Sequence, residues 1–177
     1  MAGVAVVLLV LPAIEQPDWK RQFVATTRLS LELPGALAFE GEESVEGATG
    51  WVRRSTDFAY SDDDVYVQVT IFEGDPGAPP DRELLATMMD DIVMGMVARE
   101  ESLQTLEERS EEIDGSPSMS KRIRFGSEAE PVFAHATLAG AESRVFVVIV
   151  MSVSDHGPAA EKSARIAKSV RLSADAG

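Results

Sequence analysis

The sequence predicts an α+β domain in which a mostly antiparallel β-sheet is packed between α-helices. Three observations predict this class. Several segments alternate apolar and polar residues with a period of two, which is typical of strands. Two other segments carry apolar residues at helical spacing. Finally, the run Arg144–Val153 is apolar on both of its alternating faces, so it is expected to be a central strand that is covered on both sides.

Composition excludes several classes of function. The 177 residues include 30 acidic and 16 basic residues, which gives a formal net charge of −14. This balance argues against nucleic-acid binding, because phosphate binding depends mainly on Lys and Arg. The absence of cysteine excludes disulfides and thiolate chemistry. Most of the negative charge lies in residues 40–114, which we interpret as a solvated acidic surface; the alternative is a patch that steers a basic partner.

Residues 1–17 are predicted to be a separate apolar segment and linker, and residues 18–177 a single domain. The apolar run Val4–Leu11 is shorter than the roughly 20 residues that a membrane-spanning helix needs, so no stable membrane span is expected. It has the length of a secretory signal core, although the first lysine is Lys20 and the usual basic residues before the core are missing. We predict an extracytoplasmic or secreted protein; the alternative is a buried strand in a cytoplasmic protein.

The first half of the domain is predicted to contain strands followed by a helix. Leu29–Leu33 alternates and then meets Pro34, as expected for a strand that ends in a turn. The next segments are a loop at 40–50, an extended segment at Trp51–Tyr60, a hairpin turn at Ser61–Asp64, a strand at Val65–Phe72 and a loop at Gly74–Pro80. The helix has acidic residues at Asp81 and Glu83 in its first turn and an apolar stripe that reaches Val97.

The second half is predicted to contain two hairpins, a helix and a short tail. Its segments are an edge strand at Thr105–Ile113, a turn at Asp114-Gly115, a strand at Ser120–Phe125, a strand at Pro131–Leu138, a turn at Ala139-Gly140, the central strand at Arg144–Val153, a helix at Pro158–Val170 and a short strand at Ser169–Ser173. Proline suits the first turn of that helix because its missing N–H has no partner there in any case.

Four segments within residues 22–173 have a pattern found in a known family: Arg28–Gly35, Asp114-Gly115, Arg144–Val150 and Ala164–Ser173. They resemble the PsbP-like family, which includes the DcrB-type bacterial proteins. The resemblance implies a PsbP-like sandwich and, because members are mostly binding or accessory proteins, a non-catalytic role. Two family features have no counterpart here, since the chain lacks a lipobox cysteine and has no residues matching a metal-binding set.

No candidate for catalysis is convincing. Ser154-Asp155-His156 has the residue types of a nucleophilic triad, but neighbours along a chain point in different directions. We interpret Asp155 as a cap or turn residue before the second helix. His135 lies on the other face of its strand from Ala134 and Ala136. We interpret it as a hydrogen-bonded strand histidine rather than a ligand. The sequence therefore predicts no catalytic residue, no cofactor, no metal and no enzymatic activity; an enzyme acting through carboxylates is the alternative.

Five residues are candidates for binding a protein partner: Met94, Trp51, Asp62, Asp63 and Asp64. Four methionines lie on the first helix, and Met94 falls off its apolar stripe, where an exposed side chain could contact a partner. The three aspartates form a hairpin tip. They do not make an EF-hand, because Val67 occupies the position that requires glycine; a weak Ca²⁺ contact at the tip is the alternative.

The preferred hypothesis is an accessory or protein-binding module whose protein partner is unidentified. The alternative is a cytosolic chaperone-like protein, acting as a homodimer, that shields an apolar segment of its partner through a sheet face or the methionine-rich helix. A contiguous exposed apolar patch would favour that alternative.

Overall fold

β-Strands make up most of the structure. The computed structural model describes residues 18–25, 27–44, 50–97 and 102–173; the apolar segment predicted at 1–17 lies outside them. Within these ranges the strands are β1 (Lys20–Phe23), β2 (Leu29–Leu33), β3 (Ala38–Ser44), β4 (Arg54–Ser61), β5 (Val65–Glu73), β6 (Leu103–Ile113), β7 (Ser116–Gly126), β8 (Pro131–Ala141), β9 (Arg144–Ser152) and β10 (Arg171–Leu172). The helices are α1 (Arg82–Val97) and α2 (Gly157–Ser169).

The strands form two antiparallel sheets. The larger has seven strands in the order β3-β4-β5-β9-β8-β7-β6, and the smaller has the order β1-β2-β10. β9 is the central strand of the larger sheet, so the expectation of a strand covered on both faces is confirmed. Val145 and Val147 on one face pack in the cluster that contains α1, whereas Phe146 and Val148 on the other face pack in the cluster that contains α2.

Helix α1 covers one face of the large sheet. Asp81 caps the start of this helix, because its carboxylate accepts a hydrogen bond from the Leu84 amide at 2.8 Å. This bond satisfies a donor that the first turn leaves free. The apolar stripe then buries Met89 completely, in a cluster with Ile123 of β7 and Leu138 of β8. The stripe predicted from helical spacing is therefore the face that packs on the sheet.

The opposite face is covered by α2 together with the small sheet. The three leucines of β2 are completely buried, as are Ile166 of α2 and Leu172 of β10. β10 pairs with β2, so the end of the described chain is hydrogen-bonded to its beginning. This layer packs over β5, β9 and β8, and its apolar cluster includes only Ile113 from the described residues of β6 and β7.

Two predicted loops are strands. The loop predicted at 40–50 is wrong over its first part, because β3 extends to Ser44; residues 45–49 lie outside the described ranges. The sequence does not predict β3 because it is an exposed edge strand. Its bulge between Phe39 and Gly41 also breaks the alternating pattern. The turn predicted at Ala139-Gly140 is also wrong, since both residues lie in β8.

Gly140 has a packing role instead of a turn role. A Cβ on this residue would lie 2.9 Å from the Cβ of Pro80, so glycine allows the loop before α1 to approach the strand. The chain reverses two residues later at Glu142, whose φ of +57° is the left-handed conformation of a tight turn.

The acidic middle of the chain supplies both edges of the large sheet. β3 and β6 are exposed along nearly their whole length, and each contains a bulge. Their glutamates are Glu40, Glu42, Glu43, Glu107, Glu108, Glu111 and Glu112. Charges and bulges on an edge strand oppose pairing with another chain. Much of the negative charge is thus located where it protects the unpaired edges.

Candidate functional site

A cleft opens between α2 and the part of the large sheet that the α2 layer leaves uncovered. Its volume is about 770 Å³, within the range of roughly 300–1,000 Å³ that is typical of ligand-binding clefts. We call it the α2 cleft. Its lining includes Glu107 of β6, Arg122 of β7, His135 of β8, and Ser163 and Lys168 of α2.

Strand pairing brings the polar residues of the cleft together. Arg122 lies directly opposite His135 in the β7–β8 register, and Ser120 lies opposite Thr137. Directly opposed residues of an antiparallel pair share a face and have Cβ atoms about 4.5–5.5 Å apart. The sheet side of the cleft is therefore a patch of cationic, imidazole and hydroxyl groups, and α2 forms the facing wall.

Two polar atoms in the cleft lack partners. Arg122 Nε and Ser163 Oγ are buried and make no hydrogen bond within the part of the chain that the structure describes. Ser118 Oγ, on the same face of β7 as Arg122, is in the same condition. An unsatisfied buried polar group costs about 1–3 kcal/mol, so such groups in a native protein require an explanation. Two of the three atoms belong to residues that line one cleft, and this makes it the strongest candidate site.

The Arg122 guanidinium also has no ion-pair partner among the described residues. The carboxylate placed to pair with it belongs to Glu107, which lies directly opposite in the β6–β7 register. Glu107 instead forms an ion pair with Arg109 on its own strand. The cleft thus contains a partly buried cation whose charge is not neutralised by direct contact.

His135 is a neutral imidazole at pH 7. Burial disfavours its charged form, and the nearby positive charges of Arg122 and Lys168 disfavour it further; Glu107 acts in the opposite direction. The pKa of His135 is lowered from 6.5 to about 4. No hydrogen bond joins its ring to a residue in the described ranges, so the interpretation as a hydrogen-bonded strand histidine is wrong there. The ring is available to the cleft as a neutral hydrogen-bonding group.

Ser154, Asp155 and His156 lie at the mouth of the cleft in a geometry that excludes a triad. Ser154 Oγ and Asp155 Oδ1 both approach the same ring atom, His156 Nδ1, at 3.4 and 2.9 Å. A triad needs the serine and the acid on different ring nitrogens. Asp155 lies in the bend before α2, as predicted, but the N-cap position belongs to His156.

The five predicted partner-binding residues do not form one surface. Met94 lies on α1 with 62% of its surface exposed, which is the condition under which it could contact a partner. Trp51 is half-buried beside the α1 cluster, and its indole N–H donates to the Ala78 carbonyl at 2.8 Å. The β4–β5 turn consists of Asp62, Asp63 and Asp64. Asp62 and Asp64 bind α2, which covers the face of the sheet opposite to α1.

Two of the aspartates bind α2. Lys162 Nζ of α2 donates to Asp62 at 3.0 Å and to Asp64 at 2.6 Å, and Tyr60 donates its hydroxyl proton to Asp62. Burial raises the pKa of Asp62, but hydrogen bonds from Tyr60, the Asp64 and Val65 amides and Lys162 lower it more, to about 2. The ammonium group thus lies between the two carboxylates, whereas Asp63 is exposed.

The variant Lys162→Met is expected to raise the pKa of Asp62 above 2 towards its ordinary value of 3.8, because one of its charge-assisted hydrogen bonds is lost. The free energy of unfolding at pH 7 should fall by about 1 kcal/mol, since the pair is partly exposed. Carbon-13 NMR titration of the Asp62 carboxyl and urea unfolding measure the two effects. Lys168→Met is the control, because Lys168 makes no ion pair with a described residue. An unchanged Asp62 pKa would assign its lowering to Tyr60 and the backbone amides alone.

Metal-ligand and membrane features are absent from the described part of the chain. Its residues include no group of three or more His, Asp or Glu side chains arranged to hold a metal ion. Of its two helices, neither is long and apolar enough to cross a bilayer.

No protein-family model matches the sequence, and no curated protein matches it either. Its structure is similar to that of the PsbP protein CyanoP from Synechocystis sp. PCC 6803, with a TM-score of 0.57 and 10% identity over 92% of this chain and 96% of that one. Weaker similarities, also at 10% identity, are to LpqN, involved in cell envelope biogenesis of Mycobacterium tuberculosis (TM-score 0.43; 82% of this chain, 83% of that one), and to PA94, a Pseudomonas aeruginosa protein of unknown function (TM-score 0.38; 76% and 83%).

At this identity, the similarity to CyanoP concerns the fold rather than the activity. The arrangement of antiparallel strands between two helices agrees with the expectation from the segments Arg28–Gly35 and Arg144–Val150. The chain therefore has the PsbP-like fold.

Proposed function

We propose that the protein is an accessory module without catalytic activity, and that it binds a protein partner in the α2 cleft. The observation that carries the proposal is the pair of buried, unpartnered polar atoms in this cleft, Arg122 Nε and Ser163 Oγ. A segment of another chain that entered the cleft could satisfy both atoms. Binding would then recover the free energy that the isolated fold loses by leaving them unpaired.

The chemistry of the cleft supports binding better than catalysis. A general base needs an orienting partner and a pKa near the working pH, whereas His135 has no described partner and a pKa of about 4. Glu107, the acid nearest to Arg122 in register, is paired with Arg109. The shared fold with a PsbP protein and the family resemblance of the sequence agree with an accessory role.

An extracytoplasmic location is part of the proposal. It is supported by the apolar run Val4–Leu11, which has the length of a signal core. If this run is a signal, export removes part of residues 1–17. The intact mass of the protein isolated from its native host measures that removal.

Site-specific photo-cross-linking in the native host tests the binding surface. A benzoylphenylalanine is placed in the full chain either at Glu161, an exposed residue of the α2 cleft, or at Met94, an exposed residue of α1. We expect a discrete cross-linked protein band from position 161 and none from position 94. A band from position 94 alone would move the binding surface to α1, and no band from either position would contradict a protein-binding role.

The chaperone-like alternative needs a contiguous apolar surface. The exposed large apolar side chains of the described residues are distributed over several elements: Phe23 on β1, Phe39 on β3, Tyr66 on β5, Met94 on α1, Leu103 and Leu106 on β6, and Val153 after β9. This distribution gives the shielding of an apolar segment no specific support.

A further inference from the structure

We propose that the group recognised in the α2 cleft is a carboxylate, held by the guanidinium of Arg122. This inference rests on the proposed function, because it names the chemistry that the partner presents at that same site. It follows from three features: an unpaired cation, neutral donors that line the same cleft, and the net negative charge of the chain.

The unpaired cation is Arg122. A guanidinium is charged at every relevant pH, and its burial is unfavourable unless it is paired or hydrogen-bonded. Arg122 Nε is buried without an acceptor in the described structure, and the opposed acid, Glu107, is paired with Arg109. A planar carboxylate can accept two parallel hydrogen bonds from the planar guanidinium fork. An incoming carboxylate would therefore supply both the acceptor and the charge that are missing.

Neutral donors line the same cleft as this cation. His135 lies directly opposite Arg122 on β8 and is uncharged at pH 7, so one ring nitrogen carries a proton that it can donate. Ser163 faces the sheet from α2, and its buried hydroxyl makes no hydrogen bond within the described residues. The two walls of the cleft thus offer donors, and a carboxylate is a group that only accepts hydrogen bonds.

The net negative charge of the chain favours a single negative charge on the ligand. The lining contains six acidic and five basic side chains, and the whole chain has a net charge of −14. A phosphate group carries close to two negative charges at pH 7 and would be repelled more strongly than a carboxylate. The same acids would also disfavour a chain segment that is acidic throughout. The expected ligand is a lone carboxylate, such as the C-terminus of a polypeptide.

The test follows the N–H cross-peak of Arg122 Nε in the nitrogen-15 NMR spectrum of the labelled full chain. The probes are acetyl-Ala-Ala with a free carboxylate, acetyl-Ala-Ala-amide, sodium acetate and sodium phosphate, each compared with sodium chloride at the same ionic strength. We expect a saturable shift with the free acid and with acetate, and none with the amide or with chloride. The variant Arg122→Gln should weaken binding of the free acid by at least about tenfold.

Arg124→Gln is the matched control. Arg124 lies two residues along β7, on the same face as Arg122, but does not line the cleft. Its replacement removes the same charge and should leave the affinity for the free acid unchanged. Equal losses in both variants would assign binding to the general charge of the strand and overturn the proposal.

A second readout needs no substitution. The charged groups that act on His135 are Arg122 on β7, Lys168 on α2 and Glu107 on β6. A bound carboxylate would add a negative charge beside the ring and should raise the pKa of His135. NMR titration with and without saturating acetyl-Ala-Ala acid measures this, because its α-carboxyl group, with a pKa of about 3.5, is still largely ionised where the ring titrates. An unchanged pKa would contradict placement of the anion between β7, β8 and α2.

The remaining outcomes separate this proposal from the proposed function. Equal shifts with the free acid and the amide, or a stronger effect of phosphate, would overturn carboxylate recognition; a cross-link from position 161 would still support protein binding. Binding of acetate but not of the peptide acid would support carboxylate recognition and identify a small organic acid, instead of a polypeptide C-terminus, as its source.

Discussion

Replacing Met89 with alanine is expected to lower the free energy of unfolding by about 2–5 kcal/mol, because deletion of a fully buried methionine side chain leaves a cavity between α1 and the sheet. Replacing Met94 with alanine on the same helix should change it by no more than about 0.5 kcal/mol, since this side chain is 62% exposed. The two variants remove the same atoms and differ in burial alone.

Urea unfolding followed by circular dichroism measures both variants of this pair. A loss of similar size at the two positions would mean that α1 does not lie on the sheet with the face described above. The stability of Met94→Ala also has a practical use, because a variant that keeps the fold isolates any contribution of the exposed methionine to partner binding.

The second large effect is a loss of stability in acid caused by His135. Its pKa is about 4 in the folded protein and 6.5 in the unfolded chain, so the unfolded state binds more protons between these values. Stability is therefore full above pH 6.5 and falls as the pH is lowered towards 4. The free energy of unfolding is expected to decrease by about 2–3 kcal/mol across this window through this one residue.

Substitution of His135 by asparagine should remove this component of the pH dependence. Urea unfolding at pH 7 and at pH 4.5 measures it, and the difference between the two pH values should be smaller in the variant by most of that amount. Asp62 acts in a separate window, because its folded pKa of about 2 lies below its ordinary value of 3.8, so its contribution is lost only below pH 3.8. An identical loss in the variant between pH 7 and 4.5 would assign the acid sensitivity to other groups.

The strands with a buried face could be predicted from the sequence, because burial on one or both faces leaves an alternating or continuous apolar pattern. Val145–Val150 illustrates this, since its two faces pack in two different clusters. β3 left no such pattern because it is exposed throughout. The small sheet joins β2 to β10, which are more than 130 residues apart in the chain, and a pairing over that distance has no local signal.

The candidate site was less predictable than the fold. Arg122, His135 and Ser163 lie on three elements, and their proximity depends on strand register and on the position of α2. One signal did exist: in β7 and β8 the face opposite the α1 cluster carries Arg122, His135 and Thr137, whereas the same face of β9 is apolar. Polar residues on the inner face of a covered sheet indicate a gap in the covering layer. The engagement of Asp62 by Lys162 could not be inferred, because the two residues are separated by 100 positions.

The position of β9 in the middle of the large sheet has a consequence for how the chain acquires its structure on the ribosome. β5 receives its inner neighbour only when Arg144–Ser152 has been made, and β2 receives β10 later still. Until then, the hydrophobic faces of the earlier strands have no permanent cover. Neither layer can therefore close before residues 144–172 have been synthesised, and until then the nascent polypeptide exposes apolar segments that can aggregate.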